Sequence, residues 1–120
     1  MPQIKFEYTK NIDASGDFDS LIFTIHRTIS KICSLDIENC KTRTIVHERY
    51  NVGSGIQDKG FIHLEMQLFE GRSLEVKKEL GETLLNLLKN FFFPKSSLLN
   101  IDVTIHLIDI VKADYFKISN

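Results

Sequence analysis

Pro2 is the residue whose type and position could do chemistry most directly. It stands directly behind Met1, and removal of an initiator methionine before a small residue would leave proline at the N-terminus with a free secondary amine. Free α-amino groups titrate near 7.7–8, and burial or a nearby cation lowers that value further. An amine poised in this way is a general base at neutral pH. Many chains begin Met-Pro without any catalytic role, so Pro2 needs partners elsewhere.

The other chemistry-bearing residue types are scattered. His26, His47, His63 and His106 occur singly, with neither HxxxH nor HxH spacing, so no metal site is expected. Cys33 and Cys40 form no CxxC and have no obvious neighbouring base in sequence, which argues against a nucleophilic thiol. Gly53-Ser54-Gly55 opens no helix and is not a phosphate-binding loop. Phe91-Phe92-Phe93 reads as core or interface. No cofactor is expected.

The elements that must position Pro2 follow from periodicity. A strand is expected over Pro2–Tyr8, with Ile4, Phe6 and Tyr8 on one face. After a polar turn containing Gly16, Phe18, Leu21, Ile22, Ile25, Ile29 and Ile32 make a helical stripe that Asp17 or Ser15 could cap. A β-branched run from about Cys40 to Tyr50 reads as a second strand, and Asn51–Gly60, with three glycines, as a loop or long hairpin. Ile62, Leu64, Met66 and Leu68 alternate with His63, Glu65 and Gln67 in the clearest strand. Gly71-Arg72-Ser73 breaks it, and Ser73 caps a helix carrying Val76, Leu80, Leu84, Leu87, Leu88 and Phe91 on one face until Pro94 ends it. A last strand spans about Asn100–Ile110.

This order is two βαβ units in one domain of residues 1–120, the first about 1–55 and the second about 56–120, with Ile62 lying 60 positions after Pro2. The expected fold is α+β: a four-stranded sheet with both helices on one face. The opposite face then needs cover, which oligomerisation would supply, helped by Val111, Tyr115, Phe116 and Ile118 of the C-terminal tail. The same element order also fits a ferredoxin-like small-ligand regulatory domain, with Pro2 exposed and far from Arg72.

Composition excludes several classes. Fifteen basic against sixteen acidic residues leave a formal net charge of −1, and basic residues do not cluster with aromatics, so nucleic acid is not an expected partner. No apolar run approaches the roughly 18–20 residues that span a bilayer, so no membrane is expected either. The first residues lack the apolar stretch and small-residue cleavage site of a secretory signal, and two thiols in such a chain are expected reduced. The expected location is the cytoplasm.

The segment Phe69-Glu70-Gly71-Arg72-Ser73, between a strand and an amphipathic helix, resembles the strand–Glu-Gly-Arg-Ser–helix signature of the 4-oxalocrotonate tautomerase family. There the strand begins with a catalytic N-terminal proline, nine residues before the glycine. Here Ile62 takes that place in the second unit, while the first unit has Pro2 but Ile12 where the arginine would fall. Two half-equipped repeats supply one proline and one arginine, the layout of a fused member of the tautomerase superfamily. Within it the chain most resembles the 5-carboxymethyl-2-hydroxymuconate isomerases, nearly end to end, through Met1-Pro2, Asn11-Ile12, Lys41-Thr42-Arg43, Phe61-Ile62-His63 and Gly71-Arg72-Ser73-Leu74-Glu75.

The resemblance implies a cofactor-independent isomerase and a homotrimer, acting on a small unsaturated 2-hydroxy or 2-oxo carboxylate. It implies Pro2 as general base and Arg72 as the group that holds a carboxylate or a developing enolate, for which a guanidinium fork is suited. The family has Arg-x-Arg on the second strand, where this chain has Lys41-Thr42-Arg43. Lysine keeps the charge but loses bidentate recognition, so either Lys41 or Arg43 could be the second substrate-binding residue. A non-catalytic trimeric binding module on the same fold is the other reading.

Overall fold

The computed structural model describes residues 1–55, 58–96 and 98–120. Ile56 and Gln57, inside the expected 51–60 loop and at the expected boundary between the two units, lie outside the described residues, as does Ser97. Strand β1 (Gln3–Thr9) leads through α1 (Phe18–Cys33) to β2 (Lys41–His47). Strand β3 (Lys59–Phe69) leads through α2 (Leu74–Phe92) to β4 (Asn100–Ile110). Short 3₁₀ turns precede β2 and follow α2 and β4.

Both helices start where a side chain can satisfy their free N–H groups. The Asp17 carboxylate accepts from the Ser20 N–H at 2.9 Å, and the Ser73 hydroxyl from the Val76 N–H at 3.2 Å. Burial then follows the i, i+4 row: Leu21, Ile25 and Ile29 on α1, and Leu80, Leu84, Leu88 and Phe92 on α2. The α2 row therefore ends on Phe92, while Phe91, the residue its periodicity suggested, is half-buried against Phe18. Pro94 lies just past the helix end.

The four strands lie in the order β2-β1-β3-β4, with β1 parallel to β2, β3 parallel to β4, and β1 antiparallel to β3. Each βαβ unit thus keeps its two strands side by side. A ferredoxin-like arrangement splits each such pair with an intervening strand, so this topology overturns that alternative. Ile4 and Phe6 of β1 and Ile62, Leu64, Met66 and Leu68 of β3 join the buried helix residues in a single cluster, which puts both helices on one face.

Two strand boundaries differ from expectation. β2 stops at His47, three residues short of Tyr50, where the His47 carbonyl accepts from Lys10 N–H beyond the end of β1. β3 begins at Lys59, so Gly60 belongs to the strand rather than the loop. The face away from the helices is polar across its middle: Arg43, Lys5, Glu65 and His106 fall in one cross-strand row. Its cover is therefore not a matter of hiding a broad apolar surface.

Candidate active site

The N-terminus is pinned at the end of the sheet by β2. Pro2 is buried, and its carbonyl accepts from the Lys41 N–H at 3.2 Å, extending the parallel ladder by one rung. The Met1 ammonium donates to the Asn39 carbonyl at 3.3 Å. Asn39 closes the short turn Ile37–Asn39, which the Asp36 carboxylate caps. Local turn chemistry before β2 thus fixes where the N-terminal nitrogen sits.

The C-terminal tail returns across the same end. Its first residues are tied to the β3–α2 connection, where Lys112 N–H donates to the Glu70 carboxylate at 2.8 Å. The Tyr115 ring meets Phe69 edge-on, 5.5 Å between centroids. The Gln3 side-chain NH₂ donates to the Tyr115 hydroxyl at 2.9 Å. Between tail and sheet end lies a cleft of about 480 Å³, lined by Gln3, Glu38, Asn39, Lys41, Tyr115 and Lys117 among others. That is the size of small-molecule sites.

Electrostatics make this end unusual. Burial holds the N-terminal ammonium below its ordinary range, the positive charges of Lys41 and Lys117 push the same way, and Cys40 opposes them. An amine so placed gives up its proton more readily than one in water.

The structure separates the four residues that the sequence singled out. Lys41 lines the cleft, while Pro2 is buried, is bonded to Lys41 through the backbone and is not among the lining residues. Arg43, one row further in, donates to the Gln3 side-chain oxygen at 2.8 Å. Arg72 follows Gly71, whose φ of +108° turns the chain sharply after β3. Its guanidinium donates to the Phe69 carbonyl at 2.9 Å, and its buried Nε has no partner among the described residues. It does not line the cleft.

Arg72 lies beside Cys33 at the end of α1; burial pushes that thiol up, and the Arg72 charge and hydrogen bond pull it back. Cys40, also pushed up by burial, feels both the N-terminus and Cys33. A line of neighbours therefore runs from the N-terminus through both thiols to Arg72. Both cysteines are free. Arg72 as a whole is half-buried, and its inaccessible Nε is costly unless an acceptor completes it.

Sequence reasoning missed Gln3, Asn39 and Lys117 and gave Tyr115 a different task. Gln3 carried a signal, being the first polar-face position after Pro2. Tyr115 and Lys117 lie beyond the last strand, where periodicity is silent. His63, at 2.6 Å from the Thr104 hydroxyl, lies on the open sheet face. Among the described residues no three His, Cys, Asp or Glu side chains gather as metal ligands, and no helix is long and apolar enough to cross a membrane.

The 5-carboxymethyl-2-hydroxymuconate isomerase family model matches residues 2–120. The chain belongs to that family. A 5-carboxymethyl-2-hydroxymuconate Δ-isomerase of Escherichia coli is 25% identical over 92 residues, 77% of this chain and 73% of the relative. Among solved structures, a 5-carboxymethyl-2-hydroxymuconate isomerase from Deinococcus radiodurans R1 superimposes with a TM-score of 0.87 at 22% identity, covering 99% of this chain and 90% of its own. A wild-type fused 4-OT described as a symmetric trimer reaches 0.75 at 14% identity, covering 94% and 89%. These structural likenesses establish the tautomerase-like fold. With the family they make this member of the 5-carboxymethyl-2-hydroxymuconate isomerases a tautomerase-type isomerase.

Proposed function

We propose that this isomerase moves a proton within a small unsaturated 2-hydroxy or 2-oxo carboxylate, such as 5-carboxymethyl-2-hydroxymuconate, with Pro2 as general base after Met1 is removed. The observation that carries the reading is the environment of the N-terminus: burial, Lys41 and Lys117 hold the Met1 ammonium below its ordinary pKa beside a cleft of about 480 Å³, and the Pro2 amine exposed by loss of Met1 would lie in the same surroundings. The Pro2 nitrogen takes a proton from the dienol hydroxyl, or from carbon next to a carbonyl. The electron pair shifts through the conjugated system, and the prolinium returns the proton at another carbon. Lys41 holds a substrate carboxylate in the cleft. Arg72 does not line this cleft within one protomer, so the role proposed for it, holding a carboxylate or the developing enolate oxygen, is played toward the cleft of a neighbouring subunit of the trimer.

We further propose a single tautomerase domain acting as a homotrimer in the cytoplasm. The symmetric trimer among its fold relatives supports the first part. Two neighbouring thiols that remain free support the second.

Ketonisation of 5-carboxymethyl-2-hydroxymuconate, followed by ultraviolet absorbance, tests the mechanism together with intact mass. Turnover by protein lacking Met1, abolished by Pro2→Ala and by Arg72→Ala, is expected. Turnover by protein that retains Met1 rules out Pro2 as the base, since an amide nitrogen has no basic lone pair. Folded, processed protein that converts no enol points instead to the non-catalytic module.

A further inference from the structure

The C-terminal tail does more than close one side of the cleft. It is anchored before the cleft, by Lys112 N–H on Glu70 and by Tyr115, which meets Phe69 edge-on and is bonded to Gln3. Residues beyond Tyr115 then run along the cleft, where Phe116, Lys117, Ile118 and Ser119 contribute to its lining. Lys117 and Lys41 thus reach one cavity from two elements far apart in sequence. Neither has a carboxylate within ion-pair distance among the described residues, and Glu38 is the single acidic residue in the lining. Two lysines that line one small cavity, and that both act on the nearby N-terminus, repel each other unless an anion joins them.

We infer that Lys117, carried by the Tyr115 anchor, is a specificity-determining residue that binds a second substrate carboxylate across the cleft from Lys41. The inference deepens the function proposed above and rests on it. Its chemistry is simple: one carboxylate of a conjugated 2-hydroxy acid takes one lysine, and a carboxylate at the far end of the chain takes the other. A monocarboxylate leaves Lys117 facing water. Tyr115 is a positioning residue in this scheme, since its hydroxyl holds Gln3 and its ring holds the tail.

Two measurements test this together. The first compares turnover of 2-hydroxymuconate, which has two carboxylates, with 2-hydroxypenta-2,4-dienoate, which lacks the distal one. Lys117→Met is expected to raise KM for the dicarboxylate about two- to fivefold, the effect of losing one solvent-screened ion pair. The monocarboxylate should change by less than twofold, and Lys117→Arg should restore the preference.

The second is calorimetric binding of adipate against hexanoate, which needs no turnover. Wild type should favour adipate, and Lys117→Met should erase the difference. If the enzyme turns over neither enol yet prefers adipate through Lys117, the catalytic reading fails and the subsite stands. No preference for the second carboxylate in wild type, or a preference that survives Lys117→Met, overturns the subsite.

Discussion

Arg43 donates to the Gln3 carboxamide oxygen at 2.8 Å, and the same carboxamide donates to Tyr115 at 2.9 Å. Arg43 is thus committed to a protein partner, whereas among the described residues Lys41 has a long 3.4 Å contact with the Asn39 carbonyl and no other side-chain partner. On this difference we propose Lys41, rather than Arg43, as the strand cation that binds substrate. Lys41→Gln should lower kcat/KM about tenfold or more, mostly through KM, because a charge-assisted carboxylate contact is lost. Arg43→Gln should cost about threefold or less. Steady-state kinetics of the two variants decide the matter, and a larger loss at Arg43 reverses the assignment.

The base proposed at Pro2 must be neutral to act, so kcat/KM should rise with pH as its ammonium loses a proton. Burial first, then Lys41 and Lys117, depress the pKa of the Met1 ammonium; the Pro2 amine is expected to meet the same surroundings once Met1 is removed, which moves the rise to lower pH than an ordinary α-amine would show. Lys41→Gln removes one repelling charge and should move the rise upward by roughly half a pH unit, the scale of a partly screened surface charge. Added salt should shrink the difference between the proteins. A profile that ignores both Lys41 and salt removes the lysines from the tuning of the base.

Cys33 reports on Arg72. Burial raises the thiol pKa, and the guanidinium opposes that rise. At neutral pH the thiolate fraction is therefore small, and alkylation by iodoacetamide should be slower than for a free thiol and accelerate with pH. Arg72→Ala leaves burial unopposed, so Cys33 should react more slowly still. Peptide mass spectrometry separates Cys33 from Cys40. Faster labelling in the Arg72 variant would show that the arginine shields the thiol sterically rather than electrostatically.

His26 links acid to stability. Burial lowers its pKa below the ordinary 6.5, and its Nε2 lies 2.7 Å from the Thr42 hydroxyl. Between the folded and the unfolded pKa the unfolded chain binds more protons, so stability falls as pH drops below about 6.5 and levels off below the folded value. His26→Gln removes this contribution. The loss of stability between pH 7.5 and pH 5, from urea midpoints, should be smaller in that variant than in wild type. An equal loss in both proteins would clear His26 of any part in it.

The sheet and helices were legible because burial imposes period: Ile62 to Leu68 alternate, and Leu80, Leu84 and Leu88 recur every fourth residue. Pro2 was legible because its chemistry depends on position in the chain. Strand order was not, since βαββαβ is silent on whether a third strand splits each parallel pair. The cleft was not legible either. It depends on Gln3, Asn39, Tyr115 and Lys117, which are polar or lie beyond the last strand and meet only through the fold. Arg72 was placed at the sheet end by its motif, but its unpartnered Nε and its thiol neighbour are properties of packing that no spacing encodes.

Gly60 is the residue whose loss should separate stability from activity. A Cβ there would lie 2.7 Å from the Thr9 hydroxyl, 2.9 Å from the Asn11 side-chain oxygen and 3.2 Å from Ile12. Thr9 is fully buried and donates to Asn11 at 2.7 Å while accepting from the Phe61 N–H at 3.2 Å. Asn11 in turn donates to the Lys59 carbonyl at 2.9 Å. This polar knot ties the end of β1 to the start of β3, at the end of the sheet opposite Pro2. Gly60→Ala must push the knot apart and should cost about 1–3 kcal/mol, the usual penalty for overpacking. The cleft lies a full strand away, so kcat/KM should stay within twofold below the lowered melting temperature. Urea unfolding and kinetics on the same preparation test both halves. An unchanged midpoint would mean that the knot relaxes freely, and a selective loss of activity would mean that it is coupled to the site.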